Sequence, residues 1–127
     1  VAMGGELFAQ ILADVPEVSA VFTCNDDLAL GTLFECQRRG IRVPEDVAII
    51  GFNDLDFCTA AVPPLTSVST ERREMGTWAA RSILELIRGG GKRPRQPTVD
   101  VGFSIKARGS TAAIETRSRA KRPRAKA

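Results

Sequence analysis

Apolar positions recur along this chain first at helical spacing, then in short continuous runs, and the two patterns alternate. Over residues 5–13, Leu7, Phe8, Ile11 and Leu12 fall on one side of a predicted amphipathic helix. Asp14-Val15-Pro16-Glu17 breaks it. Residues 20–23 form an apolar, β-branched run, the pattern of a strand buried on both faces. Asn25, Asp26 and Asp27 follow. Each is a helix-starting residue, able to accept a bond from an orphan N–H at the end where negative charge is favourable. The helix predicted over 27–39 has an unusually broad apolar surface: Ala29, Leu33 and Cys36 make one stripe, Leu30 and Phe34 a second. One stripe suffices to cover a sheet, so the spare one suggests a subunit contact. Gly40 stands where a left-handed C-terminal cap belongs.

A turn over 41–46 leads to a second apolar strand, 47–52, and residues 54–61 read as a short helix or loop. Pro63-Pro64 forces extended backbone before a short strand over 65–69. Ser69 or Thr70 is placed to cap the helix predicted over 71–88, whose apolar stripe is Met75, Ala79, Ile83 and Leu86/Ile87. Gly89-Gly90-Gly91 stops that helix, and a Pro-rich linker over 92–97 follows. Val99, Val101, Phe103 and Ile105 then alternate as a strand with one polar face. Residues 112–127 carry no pattern of regular structure and read as a disordered basic tail. Strand–helix–strand alternation over 20–69 implies an α/β fold with a parallel sheet and right-handed crossovers. The sheet is thin, and the helix over 71–88 has no evident partner for its stripe.

Two of these strands end alike. Residues 20–26 run from Ala-Val-Phe into Asn25-Asp26, and 28 positions after Asn25 the plan recurs as Phe52-Asn53-Asp54. In an open α/β sheet the carboxyl ends of the strands form the crevice where ligands sit. A carboxamide both donates and accepts, so Asn25 and Asn53 together suit the neighbouring hydroxyls of a sugar or polyol. The competing reading has each one capping the turn behind its strand. Arg72 and Arg73 lie in the first turn of a helix, where a cation is locally disfavoured. They are either solvated surface or aimed at an anionic ligand.

Composition narrows the chemistry. The 127 residues, 43% hydrophobic, suffice for one domain core. No apolar run approaches the ~20 residues of a membrane span, and no basic-then-apolar leader opens the chain. The expectation is a soluble, intracellular protein. Cys24, Cys36 and Cys58 lack CxxC spacing and read as small buried hydrophobes in a reducing compartment. The net charge of +3 belongs to the end of the chain: after Glu115 come six basic residues and no acid, leaving 12 basic against 15 acidic residues elsewhere. With no histidine and no tyrosine, a Ser-His or Cys-His nucleophile pair and a His-based metal site are excluded within the chain. The acid pairs Asp26/Asp27 and Asp54/Asp56 read as helix-start residues. Gly89-Gly90-Gly91-Lys92 fails the phosphate-loop spacing, because no glycine stands five residues before Gly91 and Arg93 fills the Ser/Thr place. No enzyme, metal or cofactor is implied.

At Cys24-Asn25-Asp26-Asp27-Leu28-Ala29-Leu30-Gly31, and again over Gly40-Ile41-Arg42-Val43-Pro44-Glu45-Asp46 to Gly51-Phe52-Asn53-Asp54, the chain closely resembles the lactose-repressor family. Pro63-Pro64-Leu65-Thr66-Ser67-Val68, Met75-Gly76 and the closing Ala107-Arg108-Gly109-Ser110-Thr111 extend the likeness over residues 3–112. The stretch from Phe34 to Gly40, with Thr70-Glu71-Arg72, is most similar to the gluconate-utilisation repressors. The resemblance implies a periplasmic-binding-protein type I fold, three-layered, with two subdomains around a small-molecule cleft. Residues 1–111 would be a partial effector-binding and dimerisation domain, largely the C-terminal subdomain, with 71–88 crossing back to the N-terminal one.

By position, the resemblance makes Asn25 an effector contact, puts Asn53 where many sugar-binding relatives carry aspartate, and sets Thr70 and Arg72 on the cleft-lining crossover. Asparagine at 53 keeps the hydrogen bonds of aspartate without its charge, which together with Arg72 favours a sugar acid over a neutral sugar. The family dimer would use Leu30 and Phe34 with Phe57, Ala61 and Val62. Operator DNA would be reached only through an N-terminal helix-turn-helix that these residues do not include. A cytoplasmic, homodimeric repressor is thus expected. A periplasmic sugar-binding protein of an uptake system, or a truncated repressor without function, are the alternatives.

Overall fold

A computed structural model describes residues 1–90 and 98–111 of the chain. The predicted linker over 92–97 and the basic tail over 112–127 lie outside the described residues. The elements, in order, are α1 (Ala2–Asp14), β1 (Ala20–Phe22), α2 (Asp26–Arg39), β2 (Ala48–Phe52), α3 (Phe57–Ala60), β3 (Thr66–Thr70), α4 (Arg72–Arg88) and β4 (Phe103–Lys106). They form a four-stranded sheet in the order β1-β2-β3-β4. The first three strands are parallel, with Phe22 paired to Ile50 and Ile50 to Thr66. The fourth departs from the parallel pattern: β4 runs antiparallel to β3, with Phe103 opposite Thr70 and Lys106 opposite Ser67. A parallel neighbour would have to start from the far end of the sheet. β4 instead begins beside the end of β3 and runs back along it. It also starts later than the alternation predicts, since Val99 and Val101 precede it.

One face of the sheet holds the core. In β2, Ile49 and Gly51 are buried while Ala48, Ile50 and Phe52 are half-buried. Ile49 and Val47 meet Ala29, Leu33 and Cys36 of α2, Phe8 of α1, Cys58 of α3 and Leu65, all at most 3% exposed. The α2 stripe read from the sequence is thus the one that covers the sheet. The helix ends as expected at Gly40 (φ 71), whose N–H is donated to the Cys36 and Gln37 carbonyls.

The other face is covered over Thr66 but open at both edge strands among the described residues. Phe22, Phe103 and Ile105 are 63%, 72% and 59% exposed. β1 is therefore not the doubly buried strand that its composition predicts: among the described residues it is an edge strand, covered on the side toward the helices. Cys24, expected inside, is exposed because it follows that edge strand where the chain turns. Cys36 and Cys58 are buried as expected, and burial pushes their thiols up to about 11 and about 12. The partnerless stripe of α4 is also observed: no residue of that helix is buried, and Met75, Ile83 and Ile87 are all exposed. No described helix is long and apolar enough to cross a membrane.

Candidate functional site

The parallel register fixes where the two Asn-Asp endings go. Because Phe22 pairs with Ile50, Asn25 and Asn53 each lie three residues beyond a matched pair, at the carboxyl edge of neighbouring strands. Thr70 ends β3 at the same edge, and Arg72 opens α4 just beyond it. All four residues predicted to line a ligand crevice are therefore brought to one edge of the sheet.

Their local roles differ. Asn25 is the N-cap of α2, with extended backbone, and its Oδ1 accepts the Leu28 N–H at 2.8 Å. The capping reading thus holds for its oxygen, while its Nδ2 has no hydrogen-bond partner among the described residues. The backbone of Asn53 is held by donation of its N–H to the Val68 carbonyl at 2.9 Å, and its side chain has no hydrogen bond among the described residues. Asn53 and Asp54 both take positive φ, 110° and 54°, a region that asparagine and aspartate tolerate better than other side chains. Two consecutive residues there turn the chain sharply after β2. Neither Ser69 nor Thr70 caps α4; the N-cap is Glu71, without a side-chain capping bond. Thr70 cannot cap because it is still paired in the sheet, opposite Phe103.

Beneath this rim lies a polar layer that local sequence reading misses. Asp26, by sequence a helix-start acid, is fully buried. Its Oδ1 accepts the Ser67 hydroxyl at 2.6 Å and its Oδ2 the Leu55 N–H at 2.7 Å. Ser67 Oγ in turn accepts the Asp54 N–H at 3.0 Å. Gly51 makes this possible, since a Cβ there would overlap Asp26 Oδ1. The same carboxylate adds to the burial that holds the Cys58 thiol protonated.

Arg108 comes from the far end of the described chain, just past β4. Its Nη2 donates to Asp54 Oδ1 at 2.6 Å and its Nη1 to the Leu65 carbonyl at 2.7 Å. Arg72 Nη2 reaches the Asp54 carbonyl oxygen at 3.2 Å. Asp54 is thus gripped at its N–H, its carboxylate and its carbonyl. The closing Arg108-Gly109-Ser110-Thr111 motif is the one sequence signal pointing to this layer.

The residues expected at a dimer face also converge. Leu30 and Phe34 of α2, with Phe57, Ala61 and Val62, line a hollow of about 370 Å³ completed by Gln37 and Ala60. Gln37 Nε2 donates to the Val62 carbonyl at 2.6 Å, which holds the segment before Pro63 against α2. Phe34 is 51% and Val62 75% exposed, so the hollow has an apolar rim.

A family model for a periplasmic binding protein-like domain matches residues 2–111, nearly all that the structure describes. The chain belongs to that family. It is 51% identical over 111 residues to the HTH-type transcriptional regulator GntR of Pseudomonas aeruginosa, a match covering 87% of this chain and 32% of that protein. Among solved structures it is similar to the transcription regulator GntR from Chromobacterium violaceum, with a TM-score of 0.78 and 44% identity over 87% of this chain and 40% of that one. It is also similar, with a TM-score of 0.78 and 25% identity, to the lac repressor dimer bound to operator and the anti-inducer ONPF, covering 88% of this chain and 38% of that one. The match is to the effector-binding domain of LacI-family regulators, and the chain spans about a third of the length of the curated relative.

Proposed function

We propose that this chain is the effector-binding and dimerising portion of a LacI-family repressor responding to a sugar acid such as gluconate. The observation that carries the reading is Arg72. Its guanidinium is exposed at the strand-end rim, bonded to a carbonyl, and lacks an ion-pair partner among the described residues. At the same strand-end edge of the sheet are Asn53, Asn25 and Thr70, groups able to meet hydroxyls without adding negative charge. An arginine plus two carboxamides suits a polyhydroxy carboxylate: the cation takes the acid, and the amides take the hydroxyls.

The proposed mechanism is a population shift. Ligand bound between this subdomain and the one to which α4 crosses favours one closure of the pair, and the dimer passes the change to its DNA-binding heads. The hollow formed by Leu30, Phe34, Phe57, Ala61 and Val62 is the proposed dimer face. Operator contact falls to a helix-turn-helix outside this chain, and no chemistry is performed on the effector. Calorimetric titration of the full-length regulator carrying this segment tests the reading. Gluconate should bind and glucose should compete weakly; glucose outcompeting gluconate would refute it.

A further inference from the structure

We infer that Arg108 is a positioning residue for ligand choice: it neutralises the Asp54 carboxylate at the rim, leaving Arg72 as the charge an incoming anion meets. The inference rests on the sugar-acid reading and adds to it a residue that touches no ligand. Asp54 follows Asn53 directly, on backbone bent by two positive φ angles. Its side chain and that of Arg108 are each 18% exposed. An unpaired carboxylate so little exposed would act on a neighbouring anion with far less screening than in open water. It would stand one residue from the carboxamide proposed to hold the ligand. Asparagine at 53 would then gain nothing, because the negative charge would only have moved to position 54.

Arg108 removes that charge and has little left to offer a ligand. Nη2 is committed to Asp54, Nη1 to the Leu65 carbonyl, and its backbone N–H to Thr66 Oγ1 at 2.8 Å. Arg72 contrasts with it. The Asp54 carbonyl orients its guanidinium without cancelling its charge. Among the residues proposed to line the cleft, the rim therefore offers a neutral pair, neutral amides and the Arg72 cation, which has no ion-pair partner among the described residues.

The test reads the ratio of gluconate to glucose affinity, by calorimetric titration of the full-length regulator at low salt. Asp54→Asn keeps an acceptor for Arg108 while deleting the negative charge, and the ratio should rise about fivefold. Arg108→Gln strands the carboxylate, and the ratio should fall about fivefold. The double variant should return near the wild-type ratio. A merely structural role would move both affinities together and leave the ratio unchanged, which would overturn the inference. Should Arg108→Gln fail to fold, the near-isosteric Asp54→Asn decides alone. Wild-type protein that prefers glucose overturns the sugar-acid reading and this inference with it. Wild-type preference for gluconate, with the ratio unmoved in Asp54→Asn, overturns the inference only.

Discussion

Asp26 and Ser67 meet at 2.6 Å in the interior, although 41 residues separate them in the chain. The bond ties the first turn of α2 to β3, and the same carboxylate holds the Leu55 N–H beyond the bend at Asn53 and Asp54. The crevice edge is thus fastened from below by one buried acid.

Replacing Asp26 by Asn should loosen that edge. Both partners donate to the carboxylate, and the Ser67 oxygen already accepts the Asp54 N–H. An amide offers one acceptor and turns an NH₂ toward the other donor, so a destabilisation of about 1–3 kcal/mol is expected. Urea unfolding of the chain measures it; an unchanged midpoint would show that the carboxylate does not fasten the sheet. Gly51→Ala should lose stability for a steric reason at the same place, since the added methyl overlaps Asp26 Oδ1.

Local chemistry made much of this fold legible. The α2 stripe, the Gly40 cap and the three parallel strands each follow from neighbours within a few residues. What the sequence hid was long-range. An aspartate at a helix start looks the same whether it caps that helix or crosses to Leu55 and Ser67, 29 and 41 residues away. Arg108 is 54 residues from its partner, and no local pattern marks the pairing. β1 departs from the expectation because composition reports apolarity and is silent on whether anything covers it. The direction of β4 depends on where the chain re-enters the sheet, which alternation does not encode. At the crevice, residue types and spacing single out Asn25 and Asn53, and the family resemblance adds Thr70 and Arg72, while local pattern does not mark the layer that shapes the Asn53 turn.

Thiol reactivity separates the cysteines. Cys24 is exposed, whereas Cys36 and Cys58 are buried with thiols held protonated well above neutral pH. Native chain at neutral pH should release one equivalent of chromophore from an aromatic disulfide reagent, and three after denaturation. Rapid reaction of more than one thiol in the native state would contradict this burial.

Acid should weaken the outer turn of α2. Glu35, with a side chain 9% exposed, bonds Arg38 and Arg39, and these guanidinium groups lower its carboxyl from 4.5 to about 2. A depressed folded value means stability that is complete above the ordinary value and is lost as pH falls through the window from 4.5 toward 2. Glu35→Gln should flatten the acid limb of a melting-temperature profile in that window and leave its shape near neutrality alone. An acid limb identical to wild type would contradict the assignment.

The apolar hollow at Leu30 and Val62 gives a test of association. Phe34 is 51% exposed at its rim, so Phe34→Lys should leave the protomer folded while opposing a hydrophobic subunit contact. Sedimentation of the full-length regulator should show monomers where the unsubstituted protein gives dimers. Dimers of undiminished affinity would move the interface elsewhere.

The proposed anion site needs an uncharged side chain at position 53 beside the Arg72 cation. Gluconate titration of Asn53→Asp beside the unsubstituted full-length regulator addresses it most directly. Gluconate affinity should fall about tenfold or more, since a carboxylate now faces a carboxylate at short range, while glucose affinity holds or improves. Equal gluconate affinity in the two proteins would mean that the effector does not sit against Asn53.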